Sequence, residues 1–295
     1  MKEREASSTA FTVLQGMVYI SNHSSLTRLV SPDQKAACQM FMEETEEGRR
    51  RLKQLNNRLF ISAVPFIENM FSPGLMLHYA LRKRFIEEEC ISALKGGYSQ
   101  VVNIGAGFDT LSWRLHSRFQ DVNFMEIDHP ATSTVKQQIV KEKQTNLSLM
   151  SVDLSKNSLV QVLLKHEGFD PDRKTFYICE GVLIYLEPDS VREVFESLKR
   201  VSKTSVRFAF TAMSPIGSPT NNMRLLLNLY LRVNSEPFAW SLELSEVETF
   251  VNSLGYRLLD TAVDQQLIFN YTPNCKPRTI HRGEFVAVAE LNTTT

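Results

Sequence analysis

The sequence has no excess of charge, no close cysteine pair and no long apolar run, and each absence removes a class of function. The 33 basic and 33 acidic side chains of the 295 residues cancel, so no overall field draws the chain to nucleic acid or to a membrane surface. The local run Arg49-Arg50-Arg51 with Lys53 reads as a solvated helix face. Cys38, Cys90, Cys179 and Cys275 lie far apart without a C-x-x-C pair. No metal site and no disulfide framework is therefore expected, and a reducing, cytoplasmic setting is the default. Nothing approaches the roughly 18 to 20 consecutive apolar residues of a membrane span. The apolar stretch "FTVLQGMVYI" follows a segment that carries acids, and no small-residue cleavage site comes after it, unlike a signal peptide. Repeats and low-complexity tracts are absent too.

What is present is an apolar content of 43%, enough for one large α/β domain or one domain with an added cap. The first hundred residues are helical in pattern, with a helix expected over 32–55 and a less regular stretch broken by Pro65 and Pro73. "LHYALRKRFIEEECISAL" has helical spacing and ends in Gly96-Gly97. Strands at 100–104, 122–127, 147–152, 174–180 and 205–212 then alternate with helices at 109–118, 130–143, 155–167 and 189–202. That alternation calls for a parallel sheet wrapped by helices. After it, 214–240 is irregular or helical, and "LSEVETFVNSLGY" is a helix stopped by Gly255. "RLLDTAVD" and "GEFVAVAEL" read as two strands with only a loop between them, which would set one strand antiparallel to the rest.

Open α/β sheets bind ligands at the carboxyl ends of their strands. The first strand ends in Gly105-Ala106-Gly107, a turn whose glycines let a ligand touch the main chain. The dinucleotide fingerprint G-x-G-x-x-G needs a third glycine, but that position is Thr110, and Asp109 beside the turn repels phosphate. For a cofactor carrying a cation the acid is tolerable. The second strand ends at Asp128, 23 residues after Gly105, the expected place for a carboxylate that takes both hydroxyls of a ribose. A helix cap at Pro130 is the other role open to it. After the third strand come Asp153 and Leu154, suited to the adenine amino group and ring, with helix capping again the alternative. Glu180 follows the fourth strand in an apolar run, where an acid is costly unless it is paired or faces a pocket. Such a set of acids around a glycine turn wants an adenosine and a positive charge, and S-adenosylmethionine supplies both.

"VVNIGAGFDTLSWRL", "FMEIDHP", "VDL" and "YICEGVLIYL", in this order and spacing, resemble the leucine carboxyl methyltransferase family of class I methyltransferases. The likeness runs over about residues 60 to 210 and is closer to the bacterial branch acting on small or unidentified substrates. It implies a Rossmann-like sheet, mostly parallel with the last strand antiparallel. A helical segment at 1–98 would contribute to a cap and to the cofactor site, and the core at 99–295 would carry a cap insertion around 214–245. By the same resemblance Gly105, Ala106 and Gly107 approach the methionine part of the cofactor, Asp128 holds the ribose, and Asp153 and Leu154 frame the adenine. Glu180 lies near the cofactor's amine or methionyl part. Arg82 binds its carboxylate, with Arg84 as the fallback; the alternative is that both arginines are surface helix charges, Arg84 paired to Glu87 or Glu88. Tyr185 lines the substrate side, with a half-buried tyrosine at a helix entry as the alternative.

The segment "SPIGSPTNNMRLLLNLYLRVNSEPFAW" does not resemble the region with which protein-methylating members clamp a C-terminal carboxylate, so a small-molecule acceptor is the first expectation. "MRLLLNLYLRV" would suit a lid over a lipophilic molecule, or an ordinary packed helix. None of the six histidines is spaced as a general base, and His129 directly after Asp128 reads as structural as readily. That tilts the expectation toward an acidic acceptor or a proximity mechanism. Protein carboxyl methylation and a non-catalytic nucleotide-binding scaffold remain the alternatives. Oligomeric state is open.

Overall fold

In the N-terminal third, polar side chains at the ends of apolar runs decide where helices begin. The computed structural model describes residues 7–23, 26–141, 144–224, 226–227, 237–274 and 279–291. Five helices come first: α1 (Ser8–His23), α2 (Pro32–Glu43), α3 (Glu46–Leu55), α4 (Arg58–Phe71) and α5 (Leu75–Lys95). Ser31 caps α2, with Pro32 in the first turn. The single helix expected over 32–55 is two, because Thr45 leaves helical geometry and its Oγ1 accepts the Gly48 N–H at 3.1 Å. Asn57 caps α4 the same way. Pro65 does not break the chain as expected; it sits inside α4, on its exposed side. The rung it removes is borne by a helix that is capped at Asn57 and buries Val64. The chain turns by 84° between α4 and α5. Among the described residues no single helix is long and apolar enough to cross a membrane.

The alternating part follows as β1 (Gln100–Ile104), α6 (Leu111–Leu115), β2 (Asn123–Asp128), α7 (Pro130–Val140), β3 (Leu147–Ser151), α8 (Leu159–Leu164), β4 (Thr175–Cys179), α9 (Pro188–Val201) and β5 (Val206–Met213). Then come α10 (Val247–Ser253), β6 (Arg257–Ala262), α11 (Asp264–Tyr271) and β7 (Glu284–Leu291). The seven strands form one sheet in the order β3-β2-β1-β4-β5-β7-β6. β1 to β5 are parallel, and β7 runs antiparallel to both of its neighbours. The expected bare loop between the last two strands is corrected: it carries α11, an eight-residue helix that buries Leu267 and Ile268 and is too short to show a helical period. Most of "MRLLLNLYLRV" lies outside the described residues.

Alternate side chains along each strand enter opposite layers. Val101, Phe124, Phe176, Ile178, Ala209, Val286 and Val288 pack with α1, α2 and α5 on one side. Val102, Met125, Tyr177, Phe208, Phe210, Ala287 and Ala289 pack with α8, α9 and α10 on the other. On that second side α9 turns Val191, Phe195, Leu198 and Val201 inward and its charges outward. Phe195 is surrounded edge-on by Phe208, Phe210, Phe250 and Tyr256 at centroid distances of 4.9 to 5.5 Å. Replacing Phe195 by Ala is expected to lower unfolding free energy by about 3 to 5 kcal/mol, read from urea denaturation; a loss near that of a surface substitution would show that the layer collapses around the gap.

Candidate functional site

The strand order reverses between β1 and β4, which opens a crevice at their carboxyl ends. Gly105 and Gly107 both have positive φ, 68° and 52°. A Cβ on Gly105 would stand 2.4 Å from Cγ2 of Val182, so the turn and the loop after β4 close on each other only because glycine is there. The N–H groups of Gly105 and buried Ala106 donate to the Ile127 carbonyl at 2.8 and 3.2 Å. The Gly107 N–H donates to Oδ2 of Asp128. The turn therefore offers no set of free N–H donors to a pyrophosphate, a stronger reason against a dinucleotide than the missing third glycine. The second Asp128 oxygen accepts the His129 N–H at 2.6 Å. Helix α7 is capped by His129, whose Nδ1 accepts from Ala131, so the capping role is not that of Asp128. Burial raises the Asp128 pKa despite the two N–H donors and the cations nearby.

Helix α5 crosses behind this turn and sends two consecutive cations inward. Arg82, 5% exposed, donates from Nε to Glu180 at 2.7 Å and from Nη1 to Glu284 of β7 at 2.5 Å. Lys83 Nζ lies 2.9 Å from both Glu180 and Asp109. Burial alone would discharge this lysine; Asp109 and Glu180 outweigh it and raise its pKa. Asp109 is held well below the usual carboxylate range, burial being overcome by Lys83 and Lys136. It also accepts the Leu111 N–H at 2.9 Å. The acid expected to stand beside the ligand is thus turned into the protein as an anchor. Glu180 avoids the cost of a buried acid by its two ion pairs. Arg84 faces outward, bound to Glu88 at 3.0 Å and stacked over Tyr271, so of the two candidate arginines only Arg82 reaches the crevice.

Behind Glu284 the charge network continues. His78 binds Glu284 through Nε2 at 2.9 Å and Asp264, at the start of α11, through Nδ1 at 2.6 Å. Burial works against the imidazolium, but the two carboxylates prevail and raise its pKa to about 9. His281, stacked on His78 at 4.5 Å and bound to Ser72 at 3.1 Å, is pushed the other way by burial and by the neighbouring His78 charge.

Comparison with known proteins fits this geometry to a family. The sequence pattern described as leucine carboxyl methyltransferase matches residues 28–199, more than half of the chain. The chain belongs to that family. A relative from Mycolicibacterium gilvum, named as an S-adenosyl-L-methionine-dependent methyltransferase, is 29% identical over 154 residues, 51% of this chain and 49% of its own length. One of the same name from Mycobacterium marinum is 30% identical over 169 residues, 55% and 54% of the two chains. The chain thus spans about half the length of the curated relatives it matches. A crystal structure from Thermobifida fusca, named as a methyltransferase, superposes with a TM-score of 0.61 at 16% identity over 99% of this chain and 96% of that one, which shows a shared fold.

Within this member of the leucine carboxyl methyltransferase family, Gly105, Gly107, Asp128, Arg82 and Glu180 come together at the crevice. Asp153 sits farther out on the loop after β3, where it accepts the Ser155 N–H at 3.0 Å and the Ser155 hydroxyl at 2.6 Å. It does not cap α8, whose cap is Ser158. Leu154 packs against the apolar layer under α8 and α9. Tyr185 is half-buried and contacts Phe238, 5.5 Å between ring centroids. Phe238 is part of a groove at the end of β5 with Met213, Ile216 and Trp240. Lys83, His78, Asp264 and Glu284 escaped the sequence reading. Lys83 had a signal, since "LRKRF" puts three cations in one helical turn and one had to face inward. Glu284 and Asp264 lie outside the matched stretch and meet α5 only through the fold.

The pH dependence of stability follows from these charges. His78 has a folded pKa above its ordinary 6.5, so its contribution is complete below pH 6.5 and is lost as pH rises through about 9. Glu284 and Asp109 are depressed, so theirs is present above their ordinary values and lost in acid. Urea denaturation is expected to show a loss on the order of 3 kcal/mol between pH 6.5 and the far side of pH 9. His78→Gln should flatten that limb, and an unaltered alkaline limb in the variant would refute the assignment.

Proposed function

We propose that the chain is an S-adenosylmethionine-dependent O-methyltransferase that methylates a carboxylate or hydroxyl of a small, largely apolar molecule. The observation that carries the reading is the charge of the crevice. Arg82, Lys83 and protonated His78 are set against Asp109, Glu180, Glu284 and Asp264, while Lys136 is matched by Glu126. One negative charge is left over, and Asp128 adds another at the edge of the turn. A zwitterionic amino acid bearing a sulfonium suits such a site, whereas a pyrophosphate does not. The names of the mycobacterial relatives support the same cofactor.

When bound, the cofactor supplies an electrophilic methyl carbon. Arg82 would take its carboxylate, Glu180 and the backbone of the glycine turn its amino-acid end, Asp128 its ribose, and Asp153 with Leu154 its adenine. The work left to the chain is alignment and exclusion of water. The groove beside Tyr185 supplies an apolar wall from Met213, Ile216, Phe238 and Trp240, and its described lining contains no histidine and no cation. That lining favours a small apolar acceptor over a protein carboxylate needing a clamp, and a reaction driven by proximity over one driven by a histidine base.

Calorimetry should show S-adenosylhomocysteine binding to the intact protein, weakened about tenfold or more in Asp128→Ala; binding of NAD instead would overturn the reading. Incubation with methyl-labelled cofactor and a metabolite extract should put label into small molecules, and label confined to a protein lysate would indicate the protein-methylating alternative. Alkali releases methanol from a methyl ester and leaves an ether intact, which separates carboxylate from hydroxyl acceptors.

A further inference from the structure

Arg82 is paired to Glu180 at 2.7 Å, an acid it shares with Lys83, and to Glu284 on the other side. Two acids on two different nitrogens of one guanidinium compensate its charge and also fix the orientation of its plane. Glu284 is not a loose partner. Its Oε1 holds Nη1 of Arg82, its Oε2 holds Nε2 of His78, and Nδ1 of His78 is held by Asp264. The chain of bonds ties α5 to β7 and to α11. His281, from the loop before β7, stacks on His78 and accepts the Glu284 backbone N–H through Nε2 at 3.4 Å. The ligand atoms of His78, His281 and Glu284 lie within 4.8 Å of one another, and both Nε2 atoms are hydrogen-bonded to Glu284.

With Nε and Nη1 held, the guanidinium has one nitrogen, Nη2, without a hydrogen-bond partner among the described residues. Nη2 faces Gly181, which has φ of 68° and where an added Cβ would lie 3.8 Å away. Gly181 is fixed in turn by its N–H, which donates to Thr211 at 2.8 Å. The open side of the fork thus looks at the main chain directly after Glu180, at the crevice. We infer that Glu284, gripped by His78, which Asp264 holds in turn, is a positioning residue that orients Arg82 so that Nη2 meets the carboxylate of the cofactor. The inference rests on the reading of Arg82 given above, and it assigns part of the cofactor site to a strand outside the stretch that matches the family.

The test compares two ligands by calorimetry: S-adenosylhomocysteine, and 5′-methylthioadenosine, which has the adenosine and the sulfur but no amino-acid end. Glu284→Gln is expected to weaken S-adenosylhomocysteine about tenfold or more while changing 5′-methylthioadenosine by less than about twofold. In an Arg82→Ala background the same substitution should have no further effect on either ligand. If circular dichroism shows that Glu284→Gln does not fold, Asp264→Asn takes its place in the same cycle, with the same selectivity expected. Equal weakening of both ligands, no weakening of either, or an undiminished effect without Arg82 would each overturn the inference. Failure of the unaltered protein to bind S-adenosylhomocysteine would instead remove the cofactor reading, and the inference with it.

Discussion

A guanidinium removed from water has to be compensated on every side, and in this protein that demand joins three parts of the chain that are remote in sequence. Arg82 is held by Glu180 after β4 and by Glu284 on β7, 98 and 202 residues away. Removing either acid would leave a buried positive charge short of a partner, a situation that costs several kcal/mol. The orientation of α5 on the sheet, the placing of the loop after β4 and the seating of β7 are therefore one constraint. Lys83 repeats it on a smaller scale by tying the same helix to the glycine turn through Asp109.

The glycine turn shows how backbone hydrogen bonding selects a ligand class. Its three N–H groups are all engaged, two by the Ile127 carbonyl and one by Asp128, so what it offers is a close, flat approach and not an anion cradle. The negative side chains around it then decide the sign of the guest. Helix α1 lies over the same turn: a Cβ on Gly107 would stand 3.4 Å from that of Ala10, and the Phe11 ring meets Phe108 at a tilt, 4.6 Å between centroids. The amino-terminal helices are part of the crevice's surroundings, not an appendage to the sheet.

Much of this was legible in the sequence, and the reason differs from element to element. Strand β1 and Asp128 could be read because local signals point the same way: an apolar β-branched run, a glycine stop, and an acid one strand later. The split between α2 and α3 depended on one threonine cap inside a charged run, and the persistence of α4 through Pro65 on packing that outweighs a local preference. Helix α11 offered only eight residues. Of the site, the acids at strand ends were visible because their position along a strand fixes their place in the fold. Glu284, the second partner of Arg82, was not, since nothing in its neighbourhood or in that of His78 records a contact made about 200 residues away.

Among the described residues strand β6 has one neighbour in the sheet, β7, and β7 lies between it and β5. During synthesis, residues 257–262 leave the ribosome before the strand that must receive them. Until residues 284–291 follow, β5 has an open edge, β6 has nothing to pair with, and the guanidinium of Arg82 lacks Glu284. One strand, β7, therefore completes both the sheet and the second ion pair of Arg82. A chain without residues 284–291 would keep the glycine turn and its acids, yet hold Arg82 by Glu180 alone.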